Sequence, residues 1–280
     1  MKIYFLRFLR KVKVLQFLNL CFSVLVNDRL IKIPIVGGVG FGNLDMSEKW
    51  MITVMEKLSF PEDSSFVDVG VNIGQTLIKL RSVYPKIEYI GFEPNPECVY
   101  YTQKLIDRNE WKKTTLIPSG IAGNTGIIEL NYYFDDPTDS SASIVPDFRG
   151  NDSVVRKSFI TCSSATDVNF LFTGKTISAI KIDVEGAELE VIRGLQDFLK
   201  QHRPHMLVEI LPVYQSDNTV RLNPQLEIEQ LLDDLGYTKY RIHKDANGEL
   251  SHLESIESIG VHDRLDWCDY LFSPMQLDNG

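Results

Sequence analysis

The sequence predicts an α/β fold, a mostly parallel sheet with helices on both faces. Two observations carry this. From residue 66 onward, short apolar runs alternate with stretches of helical periodicity. Strands that alternate with helices pair in parallel and cross over both faces. The first run, Phe66-Val-Asp-Val69, ends in a glycine turn, Gly70-Val-Asn-Ile-Gly74, that opens into a helix. In such folds ligands sit beyond the carboxyl ends of the strands, where the free N–H groups of a helix start favour negative charge.

Residues 2–15 plot as an amphipathic helix. Tyr4, Phe5, Phe8, Val12 and Leu15 fall on one side and basic residues on the other. Residues 17–26 are almost wholly apolar. The pattern suits a helix at a membrane surface or one packed on the domain; a secretory signal or an anchor are the other readings. No small-residue cleavage site precedes Asn27, and the run falls short of the ~20 apolar residues that span a bilayer. The glycine-rich residues 31–45 read as a short strand pair or a linker.

A helix is expected over 47–58, with Ser47 as its cap, and another over 74–84, closed by Pro85. Strand 87–92 leads to Glu93-Pro-Asn-Pro96 and a helix over 96–108. A third strand starts at 115 and exits through Ser119-Gly-Ile-Ala122. Residues 123–176 break the rhythm: 126–134 alternate like a hairpin arm, 135–149 are polar, and 159–162 read as a strand. An irregular stretch of this length is expected to be a substrate loop. A fourth strand, 177–182, runs through Asp183-Val-Glu-Gly186 into a helix. A fifth strand, a helix over 225–235 ending at Gly236, and two late strands complete seven strands.

The net charge is −9, which speaks against a nucleic-acid binder with a basic face. Residues 1–26 carry Lys2, Arg7, Arg10, Lys11 and Lys13 and no acid, so they hold +5 and the remainder −14. The four cysteines form no C-x-x-C pair, which fits a reducing, cytoplasmic setting better than a disulfide framework. Peripheral membrane contact through residues 1–26 is the one association the sequence suggests.

A glycine turn followed by an acid at the next strand end suits a dinucleotide or S-adenosylmethionine. Here the order is Gly70-x-Asn72-x-Gly74, not G-x-G-x-x-G, so a side chain stands near where a pyrophosphate would lie. Asp68 adds a carboxylate that repels a pyrophosphate and accepts from the amine of a methionine moiety. Glu93, 23 residues after Gly70, accepts ribose hydroxyls. S-adenosylmethionine is therefore the expected cofactor, with Gly120 and Ile121 at the third strand's exit also in its site. A nicotinamide-dependent oxidoreductase and a non-catalytic scaffold are the rival readings.

Phe66-Val-Asp-Val-Gly-Val-Asn-Ile-Gly-Gln-Thr76 and Lys181-Ile-Asp-Val-Glu-Gly-Ala-Glu-Leu-Glu-Val-Ile-Arg-Gly194 resemble, in order and separation, the two signature stretches of the FkbM-type methyltransferases. Gly91-Phe-Glu-Pro-Asn-Pro96 and Leu207-Val-Glu-Ile210 are similar to that family's second and fifth strand ends. The resemblance spans about 66–237, and Val71 stands where alanine is usual. It implies a class I, Rossmann-like fold and S-adenosylmethionine-dependent O-methylation of a sugar, glycan or natural product. The chain then divides into a helical arm and linker, 1–45, and a catalytic domain, 46–280.

Methyl transfer needs an oxygen aligned with the sulfonium carbon and a base for the hydroxyl proton. Asp183 is expected to hold the amine or touch the acceptor. Glu185 is the choice for acceptor contact or base, and Glu209 the second candidate. Glu188 and Glu190 are accounted for by the helix dipole. The five histidines read as surface or capping residues, and no metal is required by the spacing.

Overall fold

The computed structural model describes residues 8, 9, 11, 14–146, 148 and 153–277. Most of the arm's basic residues lie outside this set, among them Lys2, Arg7, Arg10 and Lys13.

The sheet forms where the apolar runs were legible. β3 (Ser65–Val69), β4 (Glu88–Phe92), β5 (Thr114–Ile117), β9 (Ile177–Ile182) and β10 (His205–Glu209) are parallel, in the order β5-β4-β3-β9-β10. Beyond β10 lie β13 (Asp269–Ser273), antiparallel, then β11 (Thr238–Lys244) and β12 (Leu250–Ile256). The first seven have the class I methyltransferase order, with the last strand inserted antiparallel. The eighth, β12, exceeds the expected seven and extends the edge through a hairpin.

Both faces are covered because successive strand residues point to opposite sides. On one face Val67, Val69, Ile180 and Ile182 pack with Leu195, Leu199, Ile228 and Leu232. These come from or flank α5 (Glu188–Gly194), α6 (Gln196–His202) and α7 (Thr219–Asp234). On the other, Phe66, Tyr89, Ala179 and Leu207 pack with α1 (Trp50–Leu58) and α2 (Gln75–Val83). Beside α2 runs α3 (Pro96–Asn109), started by the Asn95 side chain accepting from the Glu97 N–H.

Three local expectations are corrected. Residues 19–26 are not helix but β1 (Asn19–Val26), which pairs with β2 (Arg29–Val36) as a hairpin; the strand pair read over 31–45 thus begins earlier, with its first strand at 19. Asn27 and Asp28 both take positive φ, as a two-residue hairpin turn requires. Its inner residues, Val26, Ile31 and Ile33, pack on Ile78, Tyr101 and Leu105, and Tyr101 donates to the Pro34 carbonyl at 2.9 Å. Ser47 does not cap α1, which begins at Trp50 with no side-chain cap; the Trp50 N–H bonds the Gly248 carbonyl instead. Finally, α7 starts six residues before the expected 225, at Thr219, capped by Asn218, with Pro224 inside it.

Residues 123–176 hold more order than a loop. β6 (Gly120–Ala122), β7 (Gly126–Tyr132) and β8 (Arg156–Ser164) form a separate three-stranded sheet, followed by a short α4 (Ala165–Val168). Between β7 and β8 a segment folds around Asp139, whose carboxylate accepts from Tyr133, Phe134 and Ser141 backbone N–H groups. No helix among the described residues is long and apolar enough to cross a membrane.

Ile33 is fully buried against the main domain. Ile33→Ala is expected to cost about 2–5 kcal/mol and to shift a single urea transition. A separate early transition would show that the hairpin unfolds by itself.

Candidate active site

The carboxyl ends of β3, β4, β9 and β10 open on one cleft of about 440 Å³, a size suited to a small-molecule ligand. The glycine turn forms its floor. Gly70, Asn72 and Gly74 all have positive φ. A Cβ on Gly70 would stand 1.8 Å from the Asp183 carbonyl, and one on Gly74 would meet the Leu105 side chain. The glycines are therefore required by the neighbouring strand end and by α3. Asn72 tolerates the left-handed backbone because its side chain accepts from the next residue's N–H, at 2.6 Å.

Glu93 ends β4 where expected and lines the cleft. Its two oxygens accept from the Asn72 and Asn95 N–H groups at 2.6 and 2.8 Å. Burial pushes its carboxyl up to about 7, against the pull of those bonds. A carboxylate has about four acceptor positions, so Glu93 orders the turn and keeps capacity for hydroxyl groups.

Asp68 is a correction. It was expected to meet a ligand amine, but it is fully buried and is not among the cleft residues. Strand parity explains this: Asp68 points with Phe66 toward the α1 and α2 face. Tyr89 donates to it at 2.6 Å. Gly91, beside Asp68 in register, leaves room, since a Cβ there would meet the Tyr89 ring at 2.7 Å. Burial raises the Asp68 carboxyl to about 6, although Lys181 and Tyr89 pull it down.

Lys181 is the residue that sequence reasoning missed. It lies in β9 on the parity of Asp183, inside an otherwise apolar run. Its ammonium donates to the Gly70 carbonyl at 3.0 Å and to the Asp183 carboxylate at 2.9 Å, and lies 3.8 Å from Asp68. Burial disfavours its charge, but Asp183 and Asp68 outweigh that and raise it above the usual lysine range. A lysine two residues before an acid at a strand end was the available signal.

Asp183, Glu185 and Glu209 converge as expected, each with a carboxylate oxygen within 4.8 Å of the others. Their charge states separate. Burial opposes charge on Asp183, yet Lys181 holds its carboxyl below the usual range. Burial, then Asp183, Asp269 and Glu185, push the Glu209 carboxyl well above its usual range, which favours its protonated form. Such a set could ligate a divalent cation; the Lys181 ammonium already neutralises part of its charge.

Glu188 and Glu190 are structural in different ways. Glu188 is buried, accepts from the Gly186 N–H at 2.9 Å, and burial raises it to about 7. Glu190 pairs with Arg193 on the surface. Gly120 and Ile121 line the cleft from β6, and none of the five histidines does. The segment around Asp139 belongs to the stretch expected to be a substrate loop, and Asp139, Ser140, Ala142 and Ile144 line the cleft. Asn95 bonds the Pro137 carbonyl, and the Ser143 hydroxyl donates to the Glu185 carbonyl at 2.6 Å. The segment thus spans the cleft from the Glu93 side to the Glu185 side.

Residues 68–239 match the family model of the methyltransferase FkbM domain. The chain is 28% identical over 151 residues to "Methyltransferase 1" of Beauveria bassiana, covering 49% of this chain and 61% of that protein. It is 28% identical over 153 residues to the hexuronic acid methyltransferase AglP of Haloferax volcanii, covering 53% and 56%. The chain thus spans under two thirds of either relative. A methyltransferase FkbM structure from Methylobacillus flagellatus superposes with a TM-score of 0.49 at 18% identity, over 81% of this chain and 48% of that one.

The raised carboxyls fix a pH dependence. Asp68, Glu93 and Glu188 bind protons more tightly folded than unfolded, so each favours the folded state at low pH. That contribution is lost as pH rises from the ordinary carboxylate pKa through about 6 for Asp68 and about 7 for the two glutamates. These carboxyls favour a higher melting temperature at pH 5.5 than at pH 8, while His202, His205 and His262, lowered by burial, pull the other way, so the carboxyl share is read by difference against a variant. Glu188→Gln should remove its part of that share in calorimetry; an unchanged dependence of melting temperature on pH would contradict the assignment.

Proposed function

Because this chain belongs to the FkbM methyltransferase family, we propose that it moves the methyl group of S-adenosylmethionine to a hydroxyl oxygen of a sugar or glycan. The observation that carries this is the shared cleft. Glu93 stands on one side and the Lys181–Asp183–Glu185–Glu209 group on the other.

The residues present fit the cofactor. Glu93 keeps acceptor positions for two ribose hydroxyls, Ile121 and Phe92 offer apolar surface for an adenine, and Asp183 is an ionised acceptor for the amine. Gln75 and Thr76, in the first turn of α2, line the cleft beside N–H groups suited to a carboxylate. When bound, S-adenosylmethionine supplies the electrophilic methyl carbon.

The acidic group then acts on the acceptor. A hydroxyl attacking a sulfonium methyl becomes a strongly acidic oxonium, so a carboxylate of ordinary or low pKa suffices to take its proton. Ionised Asp183, or Glu185 beside it, fits that task. Glu209 favours its protonated form and fits donating a hydrogen bond to the acceptor rather than acting as the base. Ionisable residues lining the cleft are Lys181 and six acids, Glu48, Glu93, Asp139, Asp183, Glu185 and Glu209, of which Glu209 favours its neutral form. A carboxylate acceptor would meet like charge, which favours a hydroxyl even though one relative is named for a hexuronic acid.

Titration with S-adenosylhomocysteine is expected to show binding that Glu93→Ala weakens by about 1.5–3 kcal/mol, with Glu209→Gln close to wild type. With methyl-labelled cofactor and glycan acceptors, the transferred label should resist alkaline hydrolysis, as an ether does. Release as methanol would identify a carboxylate acceptor and overturn the hydroxyl assignment.

A further inference from the structure

We propose that residues 8–17 are a peripheral anchor that seats on bilayers rich in anionic lipid. The proposal rests on how this segment docks. Leu15 is buried, and with Leu9 it packs on Ile35, Phe41 and Leu44. The Val14 N–H bonds the Leu9 carbonyl at 2.9 Å, and Leu15–Phe17 closes as a single 3-10 turn. With Leu9 and Leu15 packed inward, Phe8, Val14 and Phe17 are left facing outward. Phe8, Val14 and Phe17 are 58%, 41% and 79% exposed, and Lys11 is exposed between them.

Exposed apolar groups gathered on a short segment mark an interaction surface. The charge distribution selects the occupant. Residues 1–26 hold +5 with no acid, while the rest of the chain holds −14. An anionic surface therefore attracts this segment and repels the remainder of the molecule, which sets orientation as well as affinity. Aromatic side chains beside basic ones are the composition that lies at the headgroup boundary. A two-fold symmetric dimer through this segment would set the same basic residues against each other. No helix among the described residues is long and apolar enough to cross a bilayer.

The test is co-sedimentation of the full chain with vesicles of phosphatidylcholine and phosphatidylglycerol at about 7:3, against pure phosphatidylcholine. The anionic vesicles should bind at least about tenfold more protein, and the difference should shrink as salt is raised. The triple variant F8S/V14S/F17S and the charge variant R10E/K11E/K13E should each lose at least about tenfold in partitioning. Phe8, Lys11, Val14 and Phe17 are not among the cleft residues, so S-adenosylhomocysteine binding and the unfolding midpoint should stay at wild-type values. Wild-type protein that ignores the anionic vesicles, or variants that bind as wild type does, would overturn the proposal. So would a dimer in sedimentation velocity that the triple variant alone dissolves, since a second copy would then cover the patch.

Discussion

The ammonium of Lys181 is the interaction on which the rest of the site depends. It is buried in β9 and touches three things that would not otherwise stay together. The Gly70 carbonyl belongs to the cofactor turn. Asp183 belongs to the acidic group. Asp68 lies beneath both in β3. Without a cation, the buried Asp68 and the half-buried Asp183 and Glu209 would compete to stay neutral. With it, Asp183 is held ionised while Glu209 takes the proton. One lysine thereby fixes both the shape of the turn and the charge pattern above it.

The surrounding structure holds this arrangement from two directions. The N-terminal hairpin packs on α2 and α3, the two helices that flank the turn, and Asn43 donates to the Ile73 carbonyl at 2.8 Å. The hairpin therefore supports the turn. From above, the segment ordered by Asp139 bonds both Asn95 and Glu185, so one stretch of chain ties the two sides of the cleft.

The strands were legible because buried parallel strands read as continuous apolar runs, and the turn because two glycines flank it. Glu93 was legible from its distance alone. Other features were hidden for identifiable reasons. Residues 17–26 are apolar enough to read as helix, although Asn19, Cys21 and Ser23 alternate with Leu20, Phe22 and Val24 and Asn27-Asp28 follows as a turn. Asp68 was placed near the cleft by sequence distance, whereas strand parity turns it into the packed face under Tyr89. Lys181 opens the second signature stretch but drew no role, because the sequence of one strand does not show which acids of neighbouring strands its ammonium will face. The segment around Asp139 shows only polar composition in sequence; its order comes from one carboxylate satisfying three backbone N–H groups.

The most direct test of the Lys181 account is the S-adenosylhomocysteine affinity of Lys181→Met by calorimetry, beside Lys181→Arg, with circular dichroism to verify the fold. Loss of the central cation should weaken binding at least about tenfold, with arginine recovering part of it. A methionine variant that folds and binds as tightly as wild type would contradict the account.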